Sequence, residues 1–114
     1  MDIERLQESL RAFAHERAWE QFHHPKNLVM ALAGEAGELV EIYQWLNEAE
    51  SREASDDPRV VSATKEELAD ILIYAARLAD VLKIDLDQAV SEKIESNAAR
   101  YPVSSARVTA RKHP

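Results

Sequence analysis

The sequence predicts an all-α fold, a four-helix bundle, on three observations. Glycine and proline are scarce, two and four among 114 residues, so turns and hairpins lack the residues that build them. Apolar residues recur at three- and four-residue steps, the period of an amphipathic helix. The stretches between these periodic segments are short, which suits helices packed as neighbours. A chain of this length supports one core and excludes a second catalytic domain.

The first helix is expected from Ile3 through Leu6, Leu10 and Phe13 to about Trp19. Phe22-His23-His24-Pro25 breaks the pattern, and Pro25 suits the first turn of a second helix, where its missing N–H is no loss. That helix is expected to run to about Leu46, with Leu28, Leu32, Leu39, Ile42 and Leu46 on one stripe. One of the two histidines would cap it. From Asn47 to about Arg59 the residues are polar and acidic and read as a solvated linker turning at Asp56-Asp57-Pro58. A third helix opens near Ser62 and Thr64, where Thr64 and Glu67 have capping-box spacing, and continues to Leu82. Asp85, with Gln88 three residues on, caps a fourth helix ending near Arg100 and stopped by Pro102. The folded domain therefore spans residues 1–102. Residues 103–114, small, polar and basic, read as a flexible tail.

A formal charge of −7 argues against binding a nucleic-acid polymer but leaves room for a small anion bound through a metal. With no cysteine there is no disulfide framework, thiolate nucleophile or zinc–thiolate site, and the cytoplasm is the simplest location. MDIERLQESL has neither a basic nor an apolar leader region, and no apolar run approaches the roughly 20 residues that span a bilayer. No membrane association is expected.

The acids are out of place. Continuing the stripe of the second helix puts Glu35 in a core-facing slot, with Glu38 three residues on. The third helix repeats the arrangement with Glu67 and Asp70 beside a seam through Ile71, Tyr74 and Leu78. Most helical acids are solvated surface groups, but four converging carboxylates would repel one another unless a cation compensated. The only two glycines, Gly34 and Gly37, alternate with the acids as Ala-Gly-Glu-Ala-Gly-Glu. Each costs roughly 0.5 to 1 kcal/mol of helix stability against alanine, which suggests close approach by another group at that turn. An all-oxygen donor set without cysteine suits Mg²⁺ or Mn²⁺. A di-iron bundle would need two Glu-x-x-His pairs, and the one present, Glu20 to His23, lies just before a proline.

Read in order, the motifs resemble a known family. WEQFHHPKN from Trp19 to Asn27 leads into GEAGEL from Gly34 to Leu39 and then Gln44-Trp45. ELADILIY follows from Glu67 to Tyr74, then Lys93, Asn97 and Arg100-Tyr101-Pro102. Over about residues 3–102 this set resembles the MazG-like all-α nucleoside triphosphate pyrophosphohydrolases, and within them the dCTP pyrophosphatase branch. The resemblance implies Mg²⁺-dependent hydrolysis of a nucleoside triphosphate to monophosphate and pyrophosphate. Glu35, Glu38, Glu67 and Asp70 would be its catalytic, metal-holding carboxylates. It further implies that Lys93 contacts phosphate, that Asn97 bonds the sugar or phosphate region, and that Arg100 pairs with a carboxylate to brace the site. Trp19 and Trp45 would form an aromatic pocket for the base, Tyr74 would line the sugar pocket, and His23 and Tyr101 are expected as further substrate contacts. Family members can carry a histidine in the first helix near the base, where this chain has Leu10. The resembling enzymes are homotetramers, dimers of dimers, with pockets formed across subunits, so the first helix of one subunit is expected to reach another's site.

The leading reading is a nucleotide-pool enzyme acting on dCTP or a modified deoxycytidine triphosphate. A broader MazG-type enzyme and the phosphoribosyl-ATP enzyme of histidine synthesis are the enzymatic alternatives. A non-enzymatic helical interaction module, with acids that only solubilise it, is the contrasting class.

Overall fold

In the computed structural model residues 1–106 are described, with side chains to residue 104. The all-α class is as expected: among the described residues there is no strand. The chain forms two units, one from Met1 to Ile84 and one beginning at Asp85.

In the first unit α1 (Ile3–Glu16) begins at Asp2, whose carboxylate accepts from the Arg5 N–H at 3.1 Å. It ends three residues short of the expected Trp19. Ala18 takes the left-handed conformation (φ 55°), the Trp19 N–H reaches back to the Ala14 carbonyl at 2.9 Å, and the Ala18 N–H reaches that of His15 at 3.1 Å. This closure normally uses glycine at the left-handed position, and alanine there costs about 1 kcal/mol. A 3₁₀ turn (Glu20–Phe22) leads to α2 (Pro25–Tyr43), which opens with Pro25 in its first turn as expected but ends three residues before Leu46. His24 occupies the cap position without a side-chain capping bond, so neither histidine caps α2 that way.

The expected linker is more ordered than its composition suggested. Asn47 and Glu50 form a reciprocal capping box that starts the short α3 (Glu48–Arg52), and a 3₁₀ turn follows at Ala54–Asp56. α4 (Pro58–Val81) starts well before Thr64. The Asp57 carboxylate accepts from the N–H groups of Arg59 and Val60, and Pro58 follows it inside the first turn. Aspartate at the cap and proline just after it form a stronger start than Thr64 can offer within a continuing helix. The Thr64 hydroxyl instead pairs with that of Tyr43 at 2.7 Å, tying the end of α2 to α4. α4 closes as α1 does, with Lys83 left-handed (φ 58°) and the Ile84 N–H bonded to the Ala79 carbonyl at 2.8 Å.

α4 is the spine of this unit, with α2 and α1 packed along it. The fully buried apolar positions are small apart from Leu28: Ala14, Ala76 and Ala79 let α1 approach α4 closely. The Gln7 amide, also buried, donates to the Ala76 carbonyl at 3.0 Å, which satisfies a polar group that burial would otherwise penalise. A Cβ built on Gly34 or Gly37 meets nothing within 4 Å, so the close approach expected there does not occur within the described residues of this chain.

In the second unit α5 (Leu86–Arg100) has the expected start and end, with the Asp85 carboxylate accepting from the Gln88 N–H at 3.0 Å. The expected tail begins instead with a single helical turn, α6 (Val103–Ala106). Its remainder, residues 107–114, lies outside the described residues.

Candidate active site

Because α2 runs along α4, the acids of the two helices meet. Carboxylate oxygens of Glu35, Glu38 and Glu67 lie within 4.8 Å of one another. One oxygen of Glu35 and one of Glu67 are closed off from solvent and have no hydrogen-bond partner. Such atoms lose hydration without replacement, a cost of about 1–3 kcal/mol for a neutral group and more for a charged one. A proton relieves part of the conflict. Glu67 is pushed up to about 8, first by the hydrogen bond its protonated carboxyl makes to Glu35, then by burial, then by the hydrogen bond and charge of Glu38. A divalent cation would satisfy all three acids together, and three convergent carboxylates are hard oxygen donors of the kind Mg²⁺ and Mn²⁺ take. Asp70, one turn beyond Glu67, stands outside this group of three and faces the neighbouring cavity.

That cavity, about 350 Å³, is lined by Leu10, Phe13, Trp19, His23, Asp70, Ile73, Tyr74 and Arg77. The tight closure of α1 delivers Trp19 to it. Phe13 meets the Trp19 ring edge-on at 5.6 Å between centroids, and the Arg17 guanidinium covers Phe13 at 3.6 Å. Trp19 in turn meets the His23 ring at 6.2 Å. An aromatic wall with few polar groups is the usual make-up of a site for a flat heterocycle.

Of the residues singled out from sequence, Trp19, His23, Asp70 and Tyr74 come together here. Trp45 does not: it lies past the end of α2, is 85% exposed, and is no part of this wall. Leu10 and Phe13 of α1 face the cavity of their own chain. Lys93, exposed, and Asn97, half-buried, lie one turn apart on α5 in the second unit. The Arg100 guanidinium sits 5.4 Å from the centre of the Tyr101 ring and, among the described residues, pairs with no carboxylate.

Sequence reasoning missed Phe13, Ile73 and Arg77 as cavity residues. For Arg77 the signal was present: a charged residue three positions beyond Tyr74 in an apolar run is the same anomaly that marked Glu35. It is 8% exposed.

Among the described residues no helix is long and apolar enough to cross a membrane. The MazG-like family pattern matches residues 31–113. The chain is similar to dCTP pyrophosphatase 1 of Bos taurus, at 48% identity over 112 residues, and to those of Homo sapiens and Rattus norvegicus, each at 46% over the same length. These alignments cover 98% of this chain and 64% of each relative, so the chain spans a little under two thirds of the length of the curated relatives it matches. It is also similar in structure to a pyrophosphatase from Archaeoglobus fulgidus, with a TM-score of 0.80 and 38% identity over 90% of this chain and 94% of that one. On the family pattern and this nearly end-to-end structural match, the chain belongs to the MazG-like family.

Proposed function

We propose that this chain is a Mg²⁺-dependent nucleoside triphosphate pyrophosphohydrolase that converts dCTP, or a base-modified deoxycytidine triphosphate, to the monophosphate and pyrophosphate. The observation that carries this reading is the set of convergent acids at the α2–α4 seam, with two buried carboxylate oxygens that lack any partner, beside an aromatic cavity of base size. The relatives named dCTP pyrophosphatase 1 supply the choice of substrate.

In this reading Glu35, Glu38 and Glu67 hold the ion, and Asp70 completes the set from the cavity side. When bound, the ion neutralises phosphate charge and lowers the pKa of a water. The chain itself orients the substrate. Trp19 and Phe13 take the flat base, Tyr74 lies one turn from Asp70 along α4 toward the sugar, and the acids draw the triphosphate only through the cation, since alone they would repel it. Lys93, Asn97, Arg100 and Tyr101 of the second unit are the proposed contacts to the phosphates and sugar, and Trp45 a contact to the base. The nucleotide pool on which such an enzyme would act makes a cytoplasmic location part of the same reading.

A homotetramer is part of the proposal as well. Met30, Ala33, Gly37 and Val40 succeed one another at three- and four-residue steps on α2 and are all exposed, forming a smooth apolar face that another helix could approach. Light scattering should give about 52 kDa, four times the 12.9 kDa of one chain; a monomer contradicts this part.

The test of the reaction is pyrophosphate release from a panel of ribo- and deoxyribonucleoside triphosphates with Mg²⁺, using wild type and Glu38→Gln. Release from dCTP that the variant lacks is the expected outcome. No release from any triphosphate overturns the proposal. Comparable turnover of purines and pyrimidines replaces it with a broad-specificity enzyme.

A further inference from the structure

Arg77 is a buried cation on the cavity wall that the proposed chemistry leaves unexplained. Its guanidinium is held from two sides. Nη1 donates to Asp80 Oδ2 at 3.3 Å, and the same oxygen accepts from Arg11 Nε at 3.0 Å. Nε donates to His23 Nδ1 at 3.1 Å. Asp80 thus balances the charge of two arginines, while the third contact of the chain ends on an imidazole.

That last bond dictates the state of His23. A guanidinium has only donors and keeps its proton throughout the working range of a protein. Nδ1 must therefore accept, so the ring is neutral and carries its hydrogen on Nε2. An imidazolium would set N–H against N–H. Burial, and then the charge of Arg77, push His23 below its ordinary pKa, outweighing the opposing charge of Glu20. Among cavity residues otherwise dominated by Leu10, Phe13, Trp19 and Ile73, His23 has one polar group left to offer a ligand, an N–H donor.

We infer that Arg77 is a positioning residue for base selection: it locks His23 as a neutral Nε2–H donor, so the cavity takes a base presenting an acceptor atom there and rejects one presenting N–H. The inference rests on the proposed function for its substrate. The discriminating atom is ring N3, an acceptor in cytosine and an N–H in thymine and uracil, whereas O2 is an acceptor in all three. A fixed donor distinguishes the two, while a histidine free to change tautomer or charge could serve either.

Two experiments test it. In the whole chain labelled with ¹⁵N-histidine, the two-bond ¹H–¹⁵N spectrum at pH 7 should show His23 with unprotonated Nδ1 and protonated Nε2. In Arg77→Met that pattern should give way to a tautomer mixture. A wild-type His23 with its proton on Nδ1, or on both nitrogens, overturns the inference, and this reading needs neither activity nor a folded variant. In the kinetic arm, Arg77→Met should lower the kcat/KM preference for dCTP over dTTP by about tenfold, mainly through KM. In a His23→Phe background the same substitution should change the preference no further. An unchanged preference in a folded Arg77→Met variant, or an equal loss without His23, overturns it. If neither triphosphate is hydrolysed the proposed reaction falls, and the spectrum still decides the state of His23.

Discussion

Binding of Mg²⁺ should expel a proton, by an amount the site geometry sets. Glu67, raised to about 8 chiefly by the hydrogen bond to Glu35, keeps a proton among the three acids at pH 7 and loses it as pH rises past that value. A carboxylate must be ionised to take the cation, so binding releases most of a proton per site at pH 7 and progressively less above pH 8. Titrating MgCl₂ into chelator-treated protein by calorimetry, in buffers of different ionisation enthalpy, reads this number as the slope of observed heat against buffer enthalpy. Stability of the metal-free chain follows the same proton. Because the folded-state pKa lies above the ordinary value of 4.5, the folded chain binds more protons than the unfolded one between those values. Metal-free stability should therefore fall as pH rises from about 4.5 through about 8. Mg²⁺ should restore most at the alkaline end. Heats independent of buffer at pH 7, or a proton release that grows with pH, would refute the assignment of these acids as one shared site.

Three further outcomes are expected. Glu67→Gln keeps a donor toward Glu35 at every pH, so at pH 8.5 without metal it should melt above wild type while losing roughly 100-fold or more in pyrophosphate release; a lower melting temperature would count against charge repulsion at the seam. Leu28→Ala removes the largest fully buried side chain and should cost about 2–5 kcal/mol in urea denaturation, a value below 1 kcal/mol being contrary to a core centred there. His15, raised by its hydrogen bond to and then the charge of Glu20 at 2.8 Å, should titrate closer to its ordinary pKa in Glu20→Gln, read by NMR. The pair's contribution is present at low pH, is lost as pH rises through the raised His15 value, and is small because both side chains are exposed.

What could be read from the sequence was what periodicity and cost reveal together. Glu35 breaks an apolar stripe, and the structure gives it and Glu67 unpartnered buried oxygens. The Pro25 and Asp85 starts follow from chemistry local to a few residues. The same local logic fails at Thr64, whose capping-box spacing is outcompeted by the Asp57-Pro58 start upstream. α3 was missed because its stability lies in the Asn47–Glu50 cap and a surface Arg52–Glu48 pair rather than in an apolar face. The end of α1 is not legible in the sequence: Ala18 has no intrinsic reason to turn left-handed, and it is held there by the backbone bonds to Ala14 and His15, with Trp19 seated against Phe13 and His23. The glycines misled in a different way, since their cost was legible but not the party for which space is left.

These features belong to one balance. The first unit buries three alanines and one leucine as its apolar core and spends part of its main helix seam on acids whose charges oppose burial. The acids sit in the most extensive helix contact of the unit, that of α2 with α4, and a cation bound among them would relieve the repulsion they bring to it. The exposed row Met30, Ala33, Gly37, Val40 runs along the same α2, so covering it with another copy would stiffen the helix that carries Glu35 and Glu38. In the proposed assembly, metal binding and subunit contact would act on a common element, so each should raise the affinity of the other without any change in the direct contacts of either. The aromatic cavity, by contrast, is anchored through α1 and the Arg11–Asp80–Arg77 chain. On the proposed reading, base selection could then vary by substitution on that side while the carboxylate seam is left intact.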